Sequence, residues 1–191
     1  GNSYSGSHNT RFSVVRYGNV MGSRGSVIPY FLNIAKTGTL PITDKNMTRF
    51  NITLNEGVEL VLWALINAKG SEIFVPKIPS YKVIDVANAI APNCKKKIIG
   101  IRSGEKMHEE MITSGDSFTT VDLGPYYSIL PSFRFRTAVG DCSIESYLSS
   151  TGGKLAREKF IYTSETNKDF LSVNQIRELI KKNIDNDFKP I

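Results

Sequence analysis

Thr53-Leu54-Asn55-Glu56 pins the start of a helix inside an otherwise strand-rich stretch. A Thr followed three residues later by Glu can exchange side-chain hydrogen bonds with first-turn N–H groups that have no intrahelical partner. Behind it Val58, Val61, Leu62, Leu65 and Ile66 recur at helical spacing, and Gly70-Ser71 ends the run. With that helix fixed, Glu72 to Val75 reads as a short strand. Tyr81 to Ala91 then reads as a second amphipathic helix stopped by Pro92-Asn93, and Lys97 to Ile101 as another strand. Upstream, Arg11 to Val20 alternates and then turns apolar, as a buried strand does. A helix follows with Ile28, Phe31, Leu32 and Ala35 inward, Pro29 in its first turn, and Gly38 as a left-handed stop. Strands covered by helices in this order predict an α/β layer. Beyond Gly115 the pattern weakens. Val121 to Phe135 holds strand-like pieces broken by Pro125 and Pro131, and Ser172 to Gln175 caps a last helix with Ile176, Leu179 and Ile180 on one face. No internal repeat or low-complexity segment interrupts the chain.

Composition narrows the function classes. At 191 residues, 40% hydrophobic and 22% charged, the chain has the make-up of a soluble globular domain. Its net charge of +6 permits phosphorylated ligands, acidic surfaces or nucleic acid, but no basic stripe is interleaved with aromatics, so nucleic acid is not expected. The one dense basic run, Lys95-Lys96-Lys97, reads as a solvated turn. Cys94 and Cys142 stand far apart without metal-ligand spacing, so neither a disulfide scaffold nor a structural metal is expected, and a reducing cytoplasm fits. The apolar run from Val58 to Ala68 is too short to span a bilayer, and no secretory signal opens the chain. The opening Gly-Asn-Ser-Tyr-Ser-Gly-Ser without an initiator Met is the expected start of a fragment or processed product.

Four segments carry chemistry. Between Tyr17 and Ile28 lie three glycines, Asn19, two serines and Arg24, in a strand-to-helix connection. The loop is no Walker A site, since no Gly-Lys-Ser/Thr follows, and only Gly22-Ser23-Arg24-Gly25 survives of a dinucleotide fingerprint. It is either a plain turn or a place where backbone N–H groups approach an anion at a helix start. Arg102 and Glu105 sit three apart after a predicted strand. An Arg forks two bonds to a phosphate and a carboxylate accepts from paired hydroxyls, a combination that suits a nucleotide, although a solvated helix start would also place them there. His108-Glu109-Glu110 lacks the second histidine of a zinc helix, His8 being the only other histidine. Arg49 and Lys77 are surface charges or part of a set: with Arg24 and Arg102 they lie at or near ends of predicted strands, where α/β folds place ligand sites.

At these residues the sequence resembles a known family. The matching runs are Val-Arg-Tyr-Gly-Asn-Val-x-Gly-Ser-Arg-Gly-Ser-Val at 15 to 27, Leu-Pro-Ile-Thr-Asp at 40 to 44, Met-Thr-Arg-Phe at 47 to 50, Glu-Ile-Phe-Val-Pro-Lys-Ile-Pro-Ser at 72 to 80, and Ile-Gly-Ile-Arg-x-Gly-Glu-Lys-x-His-Glu at 99 to 109. They are similar to the inverting UDP-N-acetylglucosamine 4,6-dehydratases and related capsular polysaccharide proteins, which are extended short-chain dehydrogenase/reductases. The resemblance implies the C-terminal part of an extended Rossmann-type fold with an incomplete parallel sheet. Residues 1–113 would hold the last core strands and the sugar-nucleotide subdomain, and 114–191 a C-terminal extension of short strands and a final helix. It also implies NADP, used in an internal redox cycle that removes water from C6 of a UDP-sugar.

By that resemblance Asn19, Arg24, Ser26 and Val27 contact the sugar nucleotide, and Val20, Gly22, Ser23 and Arg24 border the cofactor. Arg49 and Arg102 engage phosphate or ribose, Glu105 accepts from hydroxyls, and Lys77 is a further substrate-side residue. The family's glycine-rich fingerprint and Tyr-x-x-x-Lys pair are absent here, for none of the eight tyrosines has a Lys four positions later. Three expectations follow: no catalytic residue of its own, no cofactor bound by this chain alone, and an inactive chain that needs a cofactor-binding N-terminal half. A strand without its sheet neighbours also predicts self-pairing or an exposed apolar surface. The alternative is a non-catalytic scaffold of the same fold, assembled with a partner chain. Neither nucleic acid nor membrane is an expected partner.

Overall fold

The computed structural model describes residues 10–131, 135–137 and 140–191; the polar opening with His8, and part of the 121–135 run, lie outside the described residues. In chain order the elements are strands β1 (Val14–Val15) and β2 (Asn19–Val20), helix α1 (Val27–Ile34), strands β3 (Thr39–Ile42) and β4 (Thr48–Ile52), and helix α2 (Leu54–Asn67). Strands β5 (Ile73–Pro76) and β6 (Ser80–Lys82), helix α3 (Val83–Ile90), and strands β7 (Lys95–Ile98), β8 (Glu110–Ile112), β9 (Thr120–Asp122) and β10 (Tyr126–Ile129) follow. The chain closes with β11 (Phe135–Thr137), β12 (Gly140–Cys142), α4 (Ile144–Thr151), β13 (Lys154–Leu155), β14 (Tyr162–Thr163) and α5 (Val173–Asn183). It is a mixed α/β fold in two compact units, each drawn from three separate segments.

The first unit takes residues up to Tyr17, Asn55–Lys77 and Glu110–Tyr162. Its sheet runs β1-β5-β10-β9-β13. Only β1 and β5 are parallel, with Val14 beside Ile73 and Val15 beside Phe74; the remaining pairs are antiparallel. Leu60, Ala64 and Ala68 of the α2 stretch pack with Phe74, and the Trp63 ring meets Phe74 edge-on at 5.2 Å. The turn after α2 is built around Glu72, a fully buried carboxylate that accepts from the Lys69 and Gly70 N–H groups, both at 2.7 Å, and from Ser13 Oγ at 2.9 Å. Three donors offset the cost of removing that charge from water.

The second unit comprises Gly18–Leu54, Ile78–Glu109 and Thr163–Ile191. Strand β4 lies between β2, parallel, and β6, antiparallel, while β3 and β7 form a separate parallel pair. Helices α1, α3 and α5 contribute to one core, in which Phe31, Leu40, Ile42, Val86, Ile90 and Ile180 are almost fully buried. The capping box at Ser172 and Gln175 starts α5 as its sequence predicts. Gly38 takes φ 77° and ends the 3-10 turn after α1, again as expected.

Three local expectations change. The continuous strand over 11–20 is two short strands, because β1 pairs with β5 and β2 with β4; at the break, a Cβ on Gly18 would lie 2.5 Å from Cβ of Phe50. Lys95-Lys96-Lys97 is not a turn but most of β7, paired with Thr39 to Pro41, and the strand expected at 97–101 begins and ends earlier. Edge lysines suit such a strand, since charge discourages further pairing, and Lys96 Nζ donates to the carbonyls of Ala91 and Pro92 just after α3. In α2 the large periodic residues face outward. Val58, Val61, Leu62, Leu65 and Ile66 are exposed, and Gly57, Leu60 and Ala64 are buried.

Candidate functional site

One cleft of about 320 Å³ lies within the second unit. Its first wall is the β2-to-α1 connection. Gly25 has φ 78° and no atom within 4 Å of an added Cβ, so open space lies beside its backbone. Ser26 stands at the N-cap in extended conformation, but its Oγ donates to the Ser23 carbonyl at 2.7 Å and makes no cap bond. The start of α1 therefore keeps N–H groups without a side-chain cap, at the end of a helix that favours negative charge.

The second wall is a tight turn. Glu105 N–H donates to the Arg102 carbonyl at 3.0 Å, and Gly104 takes φ 79°, the geometry of a type II turn with glycine third. The Glu105 carboxylate closes the same turn by accepting from Arg102 N–H at 3.2 Å, and it also accepts from Thr43 Oγ1 at 3.4 Å. The Arg102 side chain is exposed and has no protein partner among the described residues.

Arg49, on β4, forms the floor with only 13% of its side chain accessible. Its Nη1 donates to the carbonyls of Thr48 at 2.7 Å and Met107 at 3.0 Å, and its Nε lies 3.9 Å from Glu109 Oε1. Burial raises the Glu109 carboxyl above its ordinary value, against the pull of the Phe50 N–H and the charges of Arg49 and Lys106. Burial likewise pushes the Tyr81 hydroxyl up, with the Glu109 charge adding to it and Arg49 opposing. Met47, Val83, Phe31 and Ile99 supply apolar lining. Two guanidinium groups, an uncapped helix start and a carboxylate beside a hydroxyl suit a phosphate-bearing molecule rich in hydroxyls.

Of the residues expected from sequence, Asn19, Ser26, Val27, Arg49, Arg102 and Glu105 border this cleft. Arg24 does not; it is exposed on the loop beside Ser23. Lys77 belongs to the first unit, where its Nζ meets Asp122 Oδ1 at 2.7 Å and lies over the Tyr127 ring at 4.6 Å. Val20 and Gly22 pack in the second unit without lining the cleft, Val20 beside Ile52 and Gly22 next to the Ile184 side chain. Sequence reasoning did not single out Tyr30 or Thr43 as site residues. Tyr30 follows Ser26 by one helical turn and so shares its face, and Thr43 follows the last residue of β3, the kind of position already weighed for the arginines. Among the described residues no cluster of His, Cys, Asp and Glu could hold a metal, and no helix is long and apolar enough to cross a membrane.

The chain is similar to several known proteins. The inverting UDP-N-acetylglucosamine 4,6-dehydratase of Campylobacter jejuni serotype O:2 is 48% identical over 94% of this chain and 54% of its own length. A UDP-glucose 4-epimerase of Rickettsia bellii is 39% identical over 90% of this chain and 49% of its own. Among solved structures, the X-ray structure of Pen from Bacillus thuringiensis superposes with a TM-score of 0.77 at 34% identity, covering 95% of this chain and 53% of that one. The chain thus spans about half the length of the curated relatives it matches. The model of the family described as polysaccharide biosynthesis protein matches residues 1–131, well over half of the 191, and the chain belongs to that family.

Proposed function

We propose that the chain is the sugar-nucleotide-binding portion of a cytoplasmic UDP-N-acetylglucosamine 4,6-dehydratase-like enzyme of surface polysaccharide or glycan biosynthesis. The observation that carries this reading is the single cleft bordered by Arg49, Arg102, Glu105, Asn19 and the uncapped start of α1. Its volume lies at the small end of ligand pockets, roughly 300–1,000 Å³. Arg102, unengaged by protein, forks to the diphosphate. Arg49, already held by two carbonyls, offers its remaining donors to phosphate or ribose. Glu105 accepts from hydroxyls, and Asn19, Ser26 and Val27 border the sugar. Both named relatives carry UDP-sugars in their names, and the dehydratase shares the higher identity, 48% against 39%.

The chemistry a bound NADP would supply is acceptance and return of one hydride. From Val20 to Arg24 the chain offers that cofactor an edge and no diphosphate cradle: Ser23 and Arg24 are exposed, but Gly22 faces the Ile184 side chain, with an added Cβ only 3.1 Å from it. With no Tyr-x-x-x-Lys pair in the sequence, this chain positions the sugar and shields it, while a cofactor-binding half supplies the transfer steps. Alone it is inactive.

Calorimetric titration with UDP tests the reading. Saturable binding that weakens about 10- to 100-fold in Arg102→Ala, the worth of a charged hydrogen-bond fork, supports it. No binding at all favours the scaffold, and turnover of UDP-N-acetylglucosamine by the 191-residue chain alone refutes the claim of inactivity.

A further inference from the structure

Behind Arg49 lies a set of polar contacts that nucleotide binding does not by itself require. Glu109 Oε1 sits 3.9 Å from Arg49 Nε, while Oε2 accepts the Phe50 backbone N–H at 2.8 Å, so one carboxylate ties the side chain of Arg49 to the backbone of its neighbour on β4. Glu109 is itself fixed. Its N–H donates to Ser164 Oγ at 2.9 Å, and Ser164 N–H donates back to the Glu109 carbonyl at 2.8 Å. Ser164 Oγ, fully buried, is hydrogen-bonded to Thr48 Oγ1 at 2.8 Å, and Thr48 Oγ1 meets His108 Nδ1 at 2.8 Å. Ser164 Oγ accepts from Glu109 N–H and keeps a second lone pair and its own proton, so either hydroxyl of the Ser164–Thr48 pair can donate to the other, and the Thr48–His108 direction follows the imidazole tautomer. The chain of bonds is closed at its far end by Glu165, 3.6 Å from His108 Nε2.

A guanidinium on a long side chain has many rotamers, and binding an anion with it is costly unless those rotamers are already restricted. Resting on the nucleotide-binding reading above, we propose that Glu109 is a positioning residue that holds Arg49 in its phosphate- or ribose-binding pose. The carboxylate acts in two opposed ways: its charge disfavours a nearby phosphate, and its hold on Arg49 favours the bound geometry. The proposal is that geometry dominates. The charged and titratable groups around it are Arg49 on β4, Tyr81 on β6, and Lys106 and His108 on its own segment, with Glu165 beyond His108.

The test is a double-mutant cycle on UDP affinity with Arg102→Ala as reference. Arg49→Ala is expected to weaken UDP about tenfold and Glu109→Gln about three- to tenfold, with the double variant no weaker than Arg49→Ala, because the second loss acts only through the first. A Glu109→Gln protein that binds UDP as tightly as the parent or more tightly, or losses that simply add, overturns the positioning role. If Arg102→Ala also leaves affinity unchanged, the nucleotide reading itself falls; if only Glu109→Gln is silent, that reading stands. The affinity for UDP-N-acetylglucosamine, whose diphosphate stays ionised, should drop as pH falls through the raised titration of Glu109, and this step should vanish in Glu109→Gln. Should that variant not fold, Glu105→Gln takes its place: a low-pH loss that persists supports Glu109 as its source, and one that disappears overturns it.

Discussion

The carboxylate of Glu105 accepts the backbone N–H of Arg102 at 3.2 Å, so two of the three charged residues of the cleft, the third being Arg49, are joined through the turn that carries them. Gly104, with φ 79°, makes that turn reachable. An added Cβ at Gly104 would meet nothing within 4 Å, so Gly104→Ala isolates backbone strain from packing. We expect a stability loss of about 1 kcal/mol from the left-handed conformation, and a larger proportional loss of UDP affinity because Arg102 and Glu105 no longer share one geometry. Thermal unfolding and calorimetry on the same variant separate the two. Unchanged affinity with the expected loss of stability would show that the turn does not set the site.

A steric prediction concerns the floor. Gly18 packs on Phe50 so closely that a Cβ would lie 2.5 Å from its Cβ and 3.3 Å from its carbonyl oxygen. Because the obstacle includes backbone of β4, the strain cannot be relieved by a side-chain rotation. Gly18→Ala should therefore destabilise by about 1–3 kcal/mol and displace Phe50 next to Arg49. A denaturation midpoint equal to that of the parent chain would contradict the packing.

The general order of the fold was legible in the sequence because capping boxes, glycine stops and apolar periods are local signals. Ser172 and Gln175 start α5, Gly38 stops the turn after α1, and six of the expected substrate-side residues border one cleft. What sequence could not carry was non-local. Three consecutive lysines read as a turn until β3 is known to lie alongside them. The described strands between residues 110 and 155 are two to four residues long, and their partners are set by tertiary pairing, such as Lys154 beside Asp122. Glu109 gave no sign as a partner of Arg49, 60 positions away, because its role depends on the β4 neighbour whose N–H it accepts.

Lys77 yields a pH prediction in the first unit. Burial pushes the Asp122 carboxyl up, yet the Lys77 hydrogen bond, the Gly124 N–H and the charges of Lys77 and Lys154 together hold it below its ordinary value. A depressed carboxylate stabilises the fold above the unfolded value of 3.8 and loses that contribution as pH falls through the lower folded value. Both partners are a third or more exposed, so Lys77→Met should cost no more than about 1 kcal/mol at neutral pH. The difference between variant and parent should shrink below pH 3.8. A gap that stays constant with pH would assign the effect to the Tyr127 contact instead.

The last prediction concerns the outer face of α2. Leu65 and Ile66 are 76% and 79% exposed, and with Leu54, Val58, Val61 and Leu62 they make one helix the largest run of uncovered apolar side chains among the described residues. Water contact with so much aliphatic surface is costly, about 25 cal/mol for each Å², and contiguous apolar patches of this kind mark surfaces that bind. The isolated chain is therefore expected to bind a hydrophobic dye or to associate with copies of itself. Because these side chains contribute little to the core beneath, which uses Leu60 and Ala64, Leu65→Glu with Ile66→Lys should change stability by no more than about 0.5 kcal/mol each. The same pair should abolish dye binding and return the chain to a monomer in sedimentation. A double variant that melts several degrees lower, with association unchanged, would mean that the face is packed in the folded chain.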